Sequence, residues 1–111
     1  MAFKIEKRDS YRWTVDYVLS MKDGRPHEVM KLDVEFKALS AKEAGAAVEL
    51  ARTQPMEAFE RILVGWHDAP EGWDFSMKKL EELFEFYPGI SGAFLLAYME
   101  SIWGQTAAGK N

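Results

Sequence analysis

The sequence predicts an α+β fold: an N-terminal antiparallel β-hairpin of two or three strands, packed against three to four C-terminal helices. Three observations lead there. Apolar and polar residues alternate through the N-terminal part of the chain, the apolar period lengthens to that of a helix at Leu39, and Gly and Pro punctuate the C-terminal part. The chain has 111 residues, 48% of them hydrophobic, which suffices for one domain with its own core. Residues 1–104 are read as that single domain and residues 105–111 as a disordered tail with nothing to bury.

Trp13, Val15, Tyr17 and Leu19 alternate with Arg12, Thr14, Asp16 and Val18. Met30, Leu32, Val34 and Phe36 alternate with Lys31, Asp33, Glu35 and Lys37. Both runs have the period of two of a strand with one wet face. Between them Lys22-Asp23-Gly24-Arg25-Pro26 supplies, through Asp-Gly, the positive φ angles of a hairpin turn. Such a hairpin is marginal alone, so its apolar face needs helices. Phe3-Lys4-Ile5 is the candidate for a further edge strand.

Ser40-Ala41-Lys42-Glu43 has the S-x-x-E form of a capping box, and Ala44, Ala47, Val48 and Ala51 follow at helical spacing. Pro55 suits the first position of the next helix. Phe59, Ile62, Leu63 and Trp66 stand at i, i+3, i+4 and i+7, which predicts helix to about Leu63; Ile62-Leu63-Val64 has the alternative of joining the sheet. The run Gly65-Trp66-His67-Asp68-Ala69-Pro70-Glu71-Gly72-Trp73-Asp74 reads as an ordered loop pinned by its aromatics. Ser76 caps a helix bearing Leu80, Leu83 and Phe84, which Pro88-Gly89 ends. A last helix over residues 88–103 carries Ile90, Phe94, Leu95, Tyr98, Met99 and Ile102 and stops at Gly104. Trp13, Tyr17, Leu32, Phe36, Phe59, Leu83, Phe94 and Tyr98 are the expected core.

The absence of cysteine excludes disulfides and thiolate metal sites and fits a reducing cytosol. A net charge of −4, from 18 acids and 14 bases, offers no basic footprint for nucleic acid. Arg8 and Arg12 near Tyr11 and Trp13 read as a solvated strand face. The longest apolar run, residues 93–99, is far short of the roughly 18 residues of a membrane span, and no apolar targeting segment opens the chain. A cytoplasmic protein without a membrane partner is expected.

Of the two histidines, His27 and His67, the latter stands in an acidic group with Asp68, Glu71 and Asp74. Their spacing matches no metal-ligand pattern, so they read as loop decoration. Ser76 and Ser91 sit where caps and helix starts sit, and no Gly-rich phosphate loop is present. The chain therefore reads as non-enzymatic, with no cofactor. Glu81, Glu82 and Glu85 make a solvated acidic side. The Phe94, Tyr98, Ile102 stripe reads first as core, and its width, extended by Leu95 and Met99, leaves part of it for a partner. Trp66, Trp73, Phe94, Tyr98, Met99 and Ile102 are the candidate partner-binding residues.

A resemblance enters with the second half. Glu60-Arg61-Ile62-Leu63-Val64-Gly65-Trp66, then Phe75-Ser76, a helix through Leu80 and Leu83, Pro88-Gly89-Ile90, and Ala97-Tyr98-Met99-Glu100 follow one another in an order that resembles the tail assembly chaperones of long-tailed bacteriophages. Upstream, Phe36-Lys37-Ala38-Leu39-Ser40-Ala41-Lys42-Glu43 is similar to that family's strand-to-helix passage, so the likeness covers roughly residues 34–103. It departs in the loop, where Ala69-Pro70-Glu71 replaces an Asp/Gly-rich turn. The resemblance implies a homo-oligomeric protein of the host cytoplasm that coats the tape measure protein, keeps it soluble and helps recruit tail-tube subunits. The alternative is a structural tail or head–tail completion protein, or an unrelated oligomeric adaptor.

The resemblance also implies a longer product, made by slippage of one nucleotide near the stop codon, through which the tail-tube protein is engaged. Ala108-Gly109-Lys110 can be encoded by the slippery heptamer G-GGA-AAA or G-GGA-AAG. An ordinary frayed terminus is the alternative reading of the same residues.

Overall fold

The computed structural model describes residues 8–19 and 28–103. The elements run β1 (Ser10–Leu19), β2 (Glu28–Lys37), α1 (Ala41–Ala51), α2 (Pro55–Ile62), β3 (Leu63–His67), α3 (Met77–Phe86) and α4 (Ile90–Trp103). Among the described residues this is the α+β architecture expected, an antiparallel sheet in the order β1-β2-β3 with four helices. The proposed strand at residues 3–5, the turn at 22–26, His27, the Gly104 stop and the tail at 105–111 lie outside the described residues.

The hairpin register sets Tyr17 opposite Met30, Val15 opposite Leu32 and Trp13 opposite Val34, so the apolar face of each strand lies on one side. That face receives the helices. Val15, Val34 and Phe36 are fully buried there, and α4 crosses β1 with Tyr98 edge-on to Phe36, ring centroids 5.1 Å apart. The Tyr11 hydroxyl meets Ser101 Oγ at 2.7 Å and ties the start of β1 to the end of α4. Trp13, Tyr17 and Leu32, expected in the core, are only half-buried. Trp13 and Leu32 border open clefts, and Tyr17 reaches out to the Pro88 carbonyl, so each keeps some solvent.

The capping box of α1 is present in full: Glu43 N–H donates to Ser40 Oγ at 3.1 Å, and Ser40 N–H donates to Glu43 Oε1 at 3.2 Å. The buried side of α1 is Ala44, Ala47, Val48 and Ala51, and such short side chains let α2 approach closely through Ala58. Ser76 caps α3 by accepting from Lys79 N–H at 3.1 Å. Gly89, at φ 83°, makes the turn into α4 that a side chain would strain. α4 itself begins at Ile90, two residues later than expected.

The helix expected to run to about Leu63 ends one residue earlier. Leu63 has extended backbone and opens a third strand, residues 63–67, which pairs antiparallel with β2. The apolar spacing of Phe59, Ile62, Leu63 and Trp66 fits a helix, but β2 would otherwise expose its second edge, and pairing it outweighs local spacing. Phe36 faces Leu63 while Glu35 faces Gly65, so Val64 is the extra residue of a bulge. Leu63 is thereby buried while Val64 turns to solvent.

Tyr98 is 0% exposed, and its hydroxyl has no hydrogen-bond partner among the described residues. Burial, with a smaller contribution from Tyr11, pushes its ionisation up to about 12. Leaving a buried hydroxyl unpaired costs about 1–3 kcal/mol. Tyr98→Phe is therefore expected to keep or raise the unfolding free energy, by about 1 kcal/mol. A measured fall of that size in urea unfolding would show that the hydroxyl is paired in solution.

Candidate functional site

The loop after β3 is built by its aromatics. Trp66 stands opposite Val34 in the sheet register, and its indole N–H donates to the Trp73 carbonyl at 2.7 Å. Trp66 also meets the Phe75 ring edge-on at 5.0 Å. Phe75 lies over Gly65, where an added Cβ would meet the ring at an ordinary contact distance of 3.4 Å. Between these pins, Trp73 N–H closes a turn onto the Pro70 carbonyl at 3.0 Å, with Gly72 at φ 86° in the position that requires positive φ. Trp73 packs against Phe86, with the Lys79 ammonium 4.7 Å from the centre of the indole.

This loop walls one side of an open cleft of about 500 Å³. Met30 and Leu32 of β2, Trp66, Trp73, and Leu83 and Tyr87 at the end of α3 form its apolar lining. Its size is that of ordinary binding clefts, a few hundred to about a thousand Å³. Tyr87 is held by Tyr17 at 5.7 Å, whose hydroxyl donates to the Pro88 carbonyl at 2.8 Å.

Of the candidate partner-binding residues, Trp66 and Trp73 meet at this cleft. Met99 and Ile102 are half-buried on α4, and Ile102 lines a second, more polar cleft with Tyr11, Trp13, Leu39 and Trp103. Phe94 and Tyr98 are each 0% exposed and act as core side chains in this conformation. Met30, Leu32, Leu83 and Tyr87 are lining residues that periodicity assigned to the core or passed over.

The outer face of the sheet carries a polar cluster. His67 belongs to β3 rather than to the loop, and its Nε2 lies 2.9 Å from Glu35 Oε1. Ser10 donates to the other Glu35 oxygen, and Arg12 pairs with Asp33. The carboxylate stands between the hydroxyl and the imidazole, whereas a nucleophile relay needs the imidazole in the middle. Among the described residues no group of three or more His, Asp or Glu is placed to hold a metal ion.

The hydrogen bonds from Ser10 and then His67 hold the Glu35 carboxyl below the usual range, and that from Arg12 does the same for Asp33. A depressed folded value means stabilisation present above the unfolded pKa and lost as pH falls through the folded one. Stability is expected to decline below about pH 4. Glu35→Gln should flatten that decline in urea unfolding carried from neutral pH into acid, and an unchanged slope would remove Glu35 from it.

Fold and cleft together define a small α+β protein with an aromatic-lined apolar cleft at the end of its third strand. No family model, no curated protein and no solved structure matches this chain. Among the described residues, no helix is long and apolar enough to cross a membrane.

Proposed function

We propose that this protein is a non-enzymatic tail assembly chaperone of a long-tailed bacteriophage, acting in the host cytoplasm to coat the tape measure protein and to help gather tail-tube subunits around it. The observation that carries this reading is the ordered series Gly65-Trp66, Phe75-Ser76, Pro88-Gly89-Ile90 and Tyr98, which resembles that family. The series is also physically coherent. Phe75 lies on Gly65 and Trp66, the Pro88 carbonyl anchors Tyr17, and Tyr98 packs on Phe36. Surplus apolar surface suits a carrier of apolar clients: Phe86, Leu96 and Trp103 are each more than half exposed.

Co-expression tests the reading directly. A tape measure fragment that precipitates alone is expected to stay soluble with this protein, and equal precipitation with and without it would sink the proposal. Mass spectrometry of purified virions separates a chaperone, which leaves the finished particle, from a tail or head–tail subunit, which stays.

A further inference from the structure

We propose that the cleft at the end of β3 binds an extended, cationic segment of a partner protein, which adds to β2 along residues 28–32 as a short strand. β2 is ten residues long and pairs with β1 throughout, but β3 pairs only with residues 33–36. Among the described residues, positions 28–32 therefore have a strand neighbour on one side only. In an antiparallel sheet alternate residues turn both backbone groups toward each neighbour, so this stretch presents unpaired N–H and C=O groups on the β3 side.

The chain that would have covered them turns away at Asp68, whose φ is 56°, and continues through Pro70, which has no N–H to offer. The cleft lies along that edge. Met30, Lys31, Leu32 and Asp33 all line it, and consecutive strand residues point to opposite faces. A cleft that touches all four borders the strand's edge rather than one of its faces. A helix has no spare backbone groups for such an edge, whereas an extended segment does, and its alternate side chains would enter the apolar lining.

Charge selects the partner further. Lys31 is engaged by Asp16 at 3.1 Å and Asp33 by Arg12. Asp68 on the cleft wall, and Glu71 and Asp74 in the adjoining turn, have no ion pair among the described residues. Arg12 lies within electrostatic reach of Asp68 but is paired with Asp33, and the Lys79 ammonium over Trp73 is paired with Glu82, so the net charge at the mouth is negative and Lys or Arg flanking the apolar positions complements it. This goes beyond the tape-measure reading and does not depend on it, because peptide binding and client solubility are measured separately.

The test is an NMR titration of the whole chain with the capped peptide Lys-Phe-Thr-Val-Thr-Val-Lys. Amide shifts and slowed hydrogen exchange are expected at Met30, Lys31 and Leu32. Trp73→Ala, which keeps the carbonyl that Trp66 holds, should weaken binding about tenfold. Asp68→Asn, tolerant of the same backbone angle, should weaken it severalfold at low salt only. A Glu-flanked peptide should bind worse, and a peptide N-methylated at alternate positions should not bind. Equal binding of a peptide with its apolar residues made contiguous, or shifts confined to β1, would overturn the proposal. So would self-association of the chain that the peptide reverses, since the edge would then belong to a second copy.

Discussion

Phe94→Ala is expected to lower the unfolding free energy by about 3–5 kcal/mol, the usual cost of emptying a buried aromatic site. Phe94 is 0% exposed in the first half of α4. Its ring meets Phe59 at 5.7 Å and Phe84 at 5.4 Å, both edge-on, and Phe59 and Phe84 stand 6.1 Å apart. Three rings from α2, α3 and α4 thus close on one another, and removing one strips two contacts and leaves a cavity the rigid helices cannot fill. Urea unfolding measures the cost. A loss under about 1 kcal/mol would place Phe94 on a surface in solution and return it to the partner-binding residues.

Trp66→Ala is expected to cost about 2–4 kcal/mol, less than a fully buried tryptophan because its ring is half-buried. The indole does two things: it packs on Phe75 and it donates to the Trp73 carbonyl. Trp66→Phe should recover the packing but not the hydrogen bond, and so fall between the wild type and Trp66→Ala. Hydrogen exchange should rise in residues 68–75 for both variants while β1 and β2 stay protected. Uniform loss of protection across the sheet would mean that Trp66 supports the whole core rather than the loop.

Much of the candidate site was legible as parts. Two tryptophans, two glycines and a proline within ten residues announced a pinned loop, and Trp66 and Trp73 do pin it. The cleft itself was not legible. It exists because β3 stops at His67 while β2 continues to Glu28, and the length of one strand relative to its neighbour is a property of pairing, not of either segment. Likewise Leu83 and Tyr87 belong to the cleft only because the end of α3 lies beside Met30 and Leu32.

The fold class, the α1 capping box, the Ser76 cap and the Pro88-Gly89 break were all determined locally. Alternation, side-chain oxygens three residues from a free N–H, and backbone conformations open chiefly to glycine act within a few residues of the chain. Only the tertiary structure decided that residues 63–67 are strand. Their spacing satisfied a helix equally well, and an unpaired β2 edge, brought near through the packing of α1 and α2, settled the choice. The same distance effect left Leu96 and Trp103 outside, although Phe94 and Tyr98 on the same helix are buried as their spacing predicted. The stripe of Ile90, Phe94 and Tyr98 was legible in α4, but the helix is apolar well beyond that stripe, so how much of the surplus packs was decided by the sheet and helices it meets.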